Sequence, residues 1–231
     1  MAARPIFYDT ETTGINFDRD YVIEIAAFDS ERNKTYESLI KPPISIPKEA
    51  TAIHNITDEM VANAHSFSEV CQEFLQFCEG EVILIAHNND SFDLHFLRSE
   101  FRRCDKQMPS WRFFDTLKWA RRYRTDLPRH SLQFLREIYG FPQNNAHRAL
   151  DDVIILHKVF CAMVDDLTIE EAYQLLHKPR LLKTMPFGKH QGIPFESIPK
   201  HYFDWLQKSG AFEKPDNKEL QTTLEHLGLL A

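Results

Sequence analysis

Residues 81–86 read Glu-Val-Ile-Leu-Ile-Ala, and they run directly into the polar segment His-Asn-Asn-Asp-Ser-Phe-Asp at residues 87–93. An uninterrupted apolar run that is rich in β-branched residues predicts a strand buried on both faces. Sheets with such strands are covered by helices, and their ligands bind beyond the carboxyl ends of the strands. The segment therefore favours an α/β fold, and it marks residues 87–93 as a candidate part of a site.

The elements on either side support this interpretation. Apolar runs predict further strands at residues 5–9, 21–28, 35–40 and 112–114. Helical spacing of apolar residues predicts helices at residues 67–78, 92–104, 116–123, 131–139 and 146–164. Because strands come first and crossover helices later, we expect a mixed sheet flanked by helices, in a domain that covers residues 1–166.

The C-terminal part of the chain has a different composition. Proline, glycine and aromatic residues are concentrated between Met185 and Leu206, which predicts a small turn-rich module over residues 183–231. Between the domain and the module, Thr168 opens a capping-box pattern. We therefore expect residues 167–182 to form a helical linker.

Composition limits the functional classes. The chain has 231 residues, of which 43% are hydrophobic and 26% charged, and its net charge is −7. No apolar run approaches the ~18 residues that a membrane span needs. The four cysteines are scattered and the first strand leaves no room for a signal peptide, so we expect reduced thiols, a cytoplasmic location and no membrane partner. The negative charge argues against a protein that coats nucleic acid.

One stretch opposes the acidic average. Residues 98–148 contain 12 Lys and Arg against 5 Asp and Glu, with Phe101, Trp111, Trp119 and Tyr123 among them. Such a stretch predicts contact with a phosphate backbone and stacking on bases. The alternative is a solvated surface whose aromatic residues belong to the core.

Acidic residues follow two of the predicted strands. Asp9 and Glu11 are two positions apart, so a strand directs both side chains to one face. Their charges repel unless a cation lies between them, and carboxylate oxygens suit Mg²⁺ or Mn²⁺. Alternatively, they are ordinary strand-end residues. After the strand at 81–86, Asp90 is placed to cap the next helix. Asp93 is expected to face inward, where a carboxylate needs a partner or a metal.

A third polar group lies at the start of the helix predicted for residues 146–164. Asp152 belongs to the buried stripe of that helix, and His147 precedes it by five positions, near the loop. Four carboxylates and one histidine from three segments match a two-metal hydrolase. In that design the metals hold a phosphate while the histidine accepts the proton of the attacking water.

With these residues the chain resembles the DEDDh, or DnaQ-like, 3′–5′ exonucleases. The first motif is matched by Phe-Tyr-Asp-Thr-Glu-Thr-Thr-Gly at residues 7–14, the second by residues 85–93, and the third by His147-x-Ala149-x-x-Asp152. The resemblance implies a ribonuclease-H-like fold with a five-stranded mixed sheet. It implies that two Mg²⁺ ions, with Mn²⁺ as a substitute, are bound by Asp9, Glu11, Asp93 and Asp152. It also implies that His147 is the general base.

Two departures and the tail refine this resemblance. The second motif is one residue longer than usual, as in the three-prime repair exonucleases of animals, and Asn55 replaces the glycine of the family's Ile-His-Gly-Ile-Thr segment. Residues 187–206 are similar to the C-terminal segment of the bacterial exonuclease X group, which is therefore the expected nearest group. Basic and aromatic residues of the tail form either an auxiliary DNA contact or a packed mini-core with surface lysines: Lys183, Phe187, Lys189, Lys200, Tyr202, Trp205 and Lys208.

The expected function is therefore a 3′–5′ exonuclease that removes 5′-mononucleotides from the 3′ ends of single-stranded or duplex DNA, in repair or degradation. Candidate contacts to the terminal nucleotide are Thr12, Thr13, Gly14, Ile15, Ile53, His54, Asn88 and Phe92. The same metal site serves RNA, because discrimination depends on a contact to the 2′-hydroxyl. An exoribonuclease is thus the first alternative.

Two alternatives come from other functional classes. A phosphatase would use Asp9 as its nucleophile, but it leaves Asp93 and His147 without roles. A non-catalytic module that binds nucleic acid or a polymerase would share the fold, but the set of acids and the histidine is complete. Metal-dependent release of nucleotides, rather than phosphate, separates the exonuclease from both.

Overall fold

Five strands form one mixed sheet. Their bounds are β1 Arg4–Thr12, β2 Val22–Asp29, β3 Lys34–Leu39, β4 Val82–Ala86 and β5 Arg112–Asp115, and their order across the sheet is β3-β2-β1-β4-β5. The first three strands pair antiparallel, whereas β4 runs parallel to both β1 and β5. The predicted five-stranded mixed sheet of an α/β fold is confirmed.

The computed structural model describes residues 3–143, 148–179, 181–214 and 217–230. These residues form two compact units, Met1–Leu176 and His177–Ala231. The helices of the chain are α1 Lys48–His54, α2 Asp58–Val61, α3 Phe67–Phe77, α4 Asp93–Arg103, α5 Thr116–Tyr123, α6 Leu132–Ile138, α7 Ala149–Val164, α8 Ile169–His177, α9 Lys200–Lys208 and α10 Lys218–His226. The predicted functional division at residues 166 and 182 stays a prediction.

Alternation along β1 divides its apolar side chains between two of the hydrophobic cores of the first unit. Ile6 and Tyr8 point to one face, where they are fully buried with Phe74 of α3 and Phe96 of α4. Phe7 points to the other face and packs against α7. The side chains that follow along β1 continue this alternation, so Asp9 and Glu11 lie on the α7 side and Thr10 on the α4 side. Strand periodicity therefore decides which helix each polar side chain of β1 meets.

Many side chains in the stretch from Arg98 to Arg148 contact other residues of the first unit. Phe101 and Trp119 are buried in its cores. The guanidinium of Arg103 donates to the backbone oxygens of Phe17 at 3.0 Å and Asp20 at 2.7 Å. The guanidinium of Arg112 contacts both carboxylate oxygens of Glu170, at 2.9 and 3.0 Å. The alternative interpretation therefore holds for the aromatic residues Phe101 and Trp119, whereas Arg103 and Arg112 are not simply solvated but contact other parts of the fold.

The second unit is more helical than the predicted turn-rich module. Short 3₁₀ turns precede α9, and α9 and α10 enclose a small core of Met185, Phe195, Ile198, Phe203, Leu206, Leu220 and Leu224. The prolines and glycines that predicted turns lie mainly before α9. The aromatic and leucine side chains after them follow helical spacing, which is why helices form there.

Candidate active site

Three carboxylates converge where β1 ends against α7. Asp9 and Glu11 come from β1 and Asp152 from the first turn of α7, and one carboxylate oxygen of each lies within 4.8 Å of the other two. The two-residue spacing on a strand accounts for the first pair. Asp152 joins them because the apolar stripe of α7, including Val153 and Leu156, packs on the same face of the sheet.

Asp93 reaches the same end of β1 from the opposite face. It is the first residue of α4, it is buried, and the Thr10 hydroxyl donates to its Oδ1 at 2.8 Å. The expectation that Asp93 faces inward is confirmed. The expectation that Asp90 caps this helix is wrong, because the cap position is occupied by Phe92 and Asp90 instead pairs with Lys118 at 3.2 Å. Asp90 lies within a 3₁₀ turn at Asn89–Ser91, so it is not adjacent to the start of the helix.

The electrostatics of this cluster favour a bound cation. Burial, followed by the neighbouring charges of Asp93 and Glu11, raises the pKa of Asp9 well above its ordinary value. Burial and the charge of Glu24 raise the pKa of Glu11 to about 8. Burial is also the main cause that raises the pKa of Asp93, although the Thr10 hydrogen bond opposes it. Acids that resist ionisation because they are crowded and desolvated become ionised when a divalent cation offsets their charge.

The donor set also fits a hard metal ion. Asp9, Glu11 and Asp152 offer carboxylate oxygens only, and no thiol or imidazole is part of this cluster among the described residues. Mg²⁺ and Mn²⁺ prefer oxygen ligands of this kind. The residues present therefore fit the divalent ions that the motifs imply.

A cavity of about 750 Å³ opens beside the carboxylates. It is lined by every described residue that the sequence singled out for substrate contact: Thr12, Thr13, Gly14, Ile15, Ile53, His54, Asn88 and Phe92. Ile15 and Ile53 are exposed by 87% and 57%, although both are apolar. His147, the predicted general base, lies outside the described residues. The cavity thus combines an acidic floor with exposed apolar side chains at its rim.

Side-chain hydrogen bonds hold the turn after β1. The Thr12 hydroxyl donates to the Gly14 oxygen at 2.6 Å, and the Asn16 N–H donates to Asp20 Oδ2 at 2.8 Å. A Cβ added at Gly14 would lie 2.5 Å from the same Asp20 oxygen, so a larger residue would displace the Asp20 side chain from this turn. The backbone along the cavity is therefore held in place before any ligand binds.

Asparagine occupies two positions that demand left-handed backbone geometry. Asn55 ends α1 with φ of +60°, and Asn88 follows β4 with φ of +71°. Asparagine adopts this region more readily than other non-glycine residues. The replacement of the usual glycine by Asn55 therefore leaves a left-handed turn in place.

Sequence reasoning missed three polar residues around the cavity. Glu24 of β2 is fully buried and accepts hydrogen bonds from Arg148 and from the Ala149 N–H, at the start of α7. Gln133 of α6 donates to Asp152 Oδ1 at 3.1 Å. His87 also lines the cavity, and burial lowers its pKa to about 4. A signal was available for Glu24, as a charged residue inside an otherwise apolar strand, and for His87, which lies within the second motif.

Comparison with known proteins assigns the first unit to a protein family. The profile of the RNase T-type family, described as "Exonuclease", matches residues 6–160. The chain belongs to this exonuclease family. The carboxylates of β1, α4 and α7 all lie within the matched residues, and the predicted DnaQ-like membership is confirmed. A second profile, described as "Putative quorum-sensing-regulated virulence factor", matches residues 175–226.

Curated relatives of this exonuclease include bacterial and plant proteins. DNA polymerase III subunit epsilon of Treponema pallidum is 37% identical over 68% of this chain and 74% of its own length. Exonuclease DPD1 of Arabidopsis thaliana, chloroplastic/mitochondrial, is 35% identical over 71% of this chain and 57% of its length. The 3′-5′ exonuclease DinG of Staphylococcus haemolyticus is 32% identical over 89% of this chain but 23% of its length. The chain thus covers 74%, 57% and 23% of the length of these three relatives.

Solved structures share the fold. E. coli exonuclease I in complex with a dA16 oligonucleotide superposes with a TM-score of 0.64 at 20% identity, covering 75% of this chain and 43% of that one. Exonuclease X in complex with 5′ overhanging duplex DNA gives a TM-score of 0.56 at 24% identity, covering 74% and 99%. The ribonuclease-H-like exonuclease fold is therefore confirmed. Within the described residues of the exonuclease, no helix is long and apolar enough to cross a membrane.

Proposed function

We propose that this chain is a metal-dependent 3′–5′ exonuclease that releases 5′-mononucleotides from the 3′ ends of DNA. The observation that carries the proposal is the cluster of Asp9, Glu11 and Asp152, whose carboxylate oxygens lie within 4.8 Å of one another. The cluster forms the floor of a cavity of about 750 Å³, in a member of an exonuclease family. A cavity of this size accommodates a nucleotide-sized ligand.

We assign two Mg²⁺ ions, with Mn²⁺ as a substitute, to Asp9, Glu11, Asp93 and Asp152. Divalent ions bound there would place positive charge against the scissile phosphate and lower the pKa of the attacking water. The Thr10 hydroxyl holds Oδ1 of Asp93 at 2.8 Å, and Gln133 holds Oδ1 of Asp152 at 3.1 Å. Because these hydrogen bonds orient both carboxylates, the carboxylates are directed before a ligand arrives.

His147 is assigned the role of general base. Its support is the third motif, in which it precedes Asp152 by five positions and lies next to Arg148. Arg148 Nη2 lies 3.1 Å from Oε1 of Glu24, so the residue that directly follows His147 in the sequence is anchored to β2. An imidazole with a pKa near 6.5 accepts a proton from water at neutral pH.

The terminal nucleotide is assigned to the rim of the cavity. Exposed Ile15 and Ile53 offer apolar contact to a base, with Phe92 and His54 beside them. The backbone of Thr12, Thr13 and Gly14 is fixed by side-chain hydrogen bonds, and it would lie against the sugar. Asn88 supplies an amide at the edge of the same cavity.

DNA is the favoured substrate because of the relatives. The chain is 37% identical to a DNA polymerase subunit, and the solved structures of similar fold include complexes with single-stranded and duplex DNA. The tail and the longer second motif further suggest that the exonuclease X group is nearest, with a loop like that of the three-prime repair exonucleases. DNA repair or degradation is the corresponding role.

The deciding experiment digests matched substrates that carry a 5′ label: single-stranded DNA, duplex DNA with a 3′ end, and single-stranded RNA of the same sequence. With Mg²⁺ we expect a ladder that shortens from the 3′ end of DNA and chromatographic release of 5′-mononucleotides, and none with chelator. Equal rates of hydrolysis on RNA and DNA would widen the proposed substrate from DNA to nucleic acid in general. Release of inorganic phosphate, or binding without hydrolysis, would overturn the proposal in favour of a phosphatase or a non-catalytic module.

A further inference from the structure

A second groove lies in the C-terminal unit, and it is built largely from aromatic and basic side chains. Its volume is about 500 Å³, and its lining includes Phe187, Lys189, Tyr202, Trp205 and Lys214. Four of the seven tail residues that the sequence singled out therefore meet in one place. Lys183, Lys200 and Lys208 are not among the residues that line it.

Of the three aromatic side chains that line the groove, Phe187 and Tyr202 also pack against the core of the unit, whereas Trp205 faces solvent. Phe203 and Leu206 of α9 are buried in that core, whereas Trp205 on the other side of the helix is exposed by 57%. Tyr202 and Trp205 are three positions apart, so they share a helix face. Their rings stack with centroids 5.6 Å apart and an interplanar angle of 29°. An exposed tryptophan supported by a second ring is a surface on which a flat ligand stacks.

Local geometry holds the basic side of the groove in place. Gly188 has φ of +76°, and a Cβ there would lie 2.9 Å from the Tyr202 hydroxyl, so only glycine permits this approach. The ring of His190 packs edge-on against Tyr202, with centroids 4.6 Å apart. Lys189 lies between these two residues and is therefore presented beside the stacked rings.

The charges of the groove select the class of ligand. Lys189 and Lys214 line it, and none of the described residues that line it is acidic. A ligand that satisfies both features carries flat rings for Trp205 and negative charges for the two ammonium groups. Single-stranded nucleic acid offers both bases that stack and phosphates along one chain.

We propose that this groove is a second binding site for single-stranded nucleic acid, in which bases stack on Trp205 and Tyr202 and phosphates contact Lys189 and Lys214. The inference rests on the proposed function, because it names a further contact to the same class of substrate. Two sites on one chain raise the effective concentration of a strand that occupies either of them.

The test is a fluorescence titration of the full chain with a short oligothymidylate in the presence of chelator, so that no cleavage occurs. We expect tryptophan emission to be quenched, because a base covers Trp205. Trp205→Phe should remove the quenching but keep most of the affinity, whereas Trp205→Ala should weaken binding about tenfold. Leu227→Ala is the control, because Leu227 is also exposed in this unit but does not line the groove.

Several outcomes would overturn the inference. One is quenching that persists unchanged in Trp205→Phe, and another is an absence of quenching in the wild type. Equal quenching by polyglutamate would indicate that the groove binds an acidic peptide instead. Quenching that grows with protein concentration in the absence of oligonucleotide would indicate that it binds a second copy of the chain. Normal hydrolysis of labelled DNA without quenching refutes only the groove, and quenching without hydrolysis refutes only the exonuclease. Melting curves of the variants show whether each one folds.

Discussion

Arg148 Nη2 lies 3.1 Å from Oε1 of Glu24, a carboxylate that is completely buried in the middle of β2. The other oxygen of Glu24 accepts the N–H of Ala149 at 3.0 Å. Ala149 is the first residue of α7, and Glu24 stands opposite Glu11 in the pairing of β1 with β2. One buried carboxylate thus ties the start of the helix that carries Asp152 to the strand beside the acidic cluster.

Glu24 should therefore act as a positioning residue for the active site. We expect Glu24→Gln to lower kcat by about 10- to 100-fold with a smaller change in KM, because α7 loses its charged anchor while the nucleotide contacts remain. The charge of Glu24 also raises the pKa of Glu11, so the variant should shift the pH profile of kcat to lower pH. Steady-state kinetics on labelled DNA at several pH values measures both effects.

Glu37→Gln is the matched control for Glu24. Glu37 also approaches Arg148, at 3.7 Å, but its side chain is 40% exposed. Exposed ion pairs contribute little, so its kinetics should stay close to those of the wild type. Equal effects of the two substitutions would show that burial of Glu24 has no special role.

Asp152 should be required for catalysis in a way that its neighbour is not. Asp152→Asn removes one carboxylate of the three-acid cluster and should reduce kcat by at least about 100-fold, since several kcal/mol of charge stabilisation depend on the metals. Asp151→Asn removes the same charge one position away, outside that cluster, and should retain most activity. Similar losses in both variants would point to a general effect of charge on α7.

Stability of the metal-free protein should fall as pH rises. Burial and nearby acids raise the pKa of Glu11 to about 8 from its ordinary 4.5, and they raise the pKa of Asp9 as well. Between these pH values the folded protein holds protons that the unfolded chain has released, so the stability present below about pH 4.5 is lost as pH rises through 8. Thermal unfolding with chelator should therefore show Tm decreasing across this range.

Added Mg²⁺ should remove much of that pH dependence. A divalent ion replaces the protons as the compensating charge, so binding releases protons and stabilises the protein more at high pH than at low pH. A Tm that is equally pH-dependent with and without Mg²⁺ would contradict the assignment of the cluster as a metal site.

Substitution of Ile15 should weaken substrate binding without changing the stability of the fold. Its side chain is 87% exposed at the rim of the cavity, so Ile15→Ala should change the free energy of unfolding by no more than about 0.5 kcal/mol. Loss of apolar contact to the terminal base should raise KM several-fold, with kcat nearly unchanged. Ile44→Ala is the control, because Ile44 is also exposed but does not line the cavity. A normal KM for Ile15→Ala would place the base elsewhere.

Much of the acidic cluster follows from local rules. Strand alternation placed Asp9 and Glu11 on one face, and the apolar stripe of α7 carried Asp152 to the same face. Both inferences depend only on the periodicity of side chains along one element. The strands were predicted mainly as short apolar runs, whereas their assembly into one five-stranded sheet was implied by the resemblance to the DnaQ-like family.

The polar partners were not predictable, because each joins segments far apart in sequence. The sequence around Glu24 shows a charge inside an apolar strand, but it does not show that Arg148 satisfies it. Likewise, the charge of Arg112 counts toward a basic stretch until Glu170 is found beside it. Counting charges along the chain therefore overestimated the surface available for phosphate contact.

The origin of the three carboxylates also has a consequence for synthesis. Asp9 and Glu11 belong to β1, whereas Asp152 is supplied by α7, after the whole sheet has been translated. A nascent chain therefore carries two of the acids without the third while the elements from β2 to α6 are made. The cluster cannot be completed on the ribosome until α7 emerges and docks on β1, so a partially translated chain lacks the complete metal site. Assembly of the cluster thus waits for α7, a delay that follows from the order of the elements along the chain.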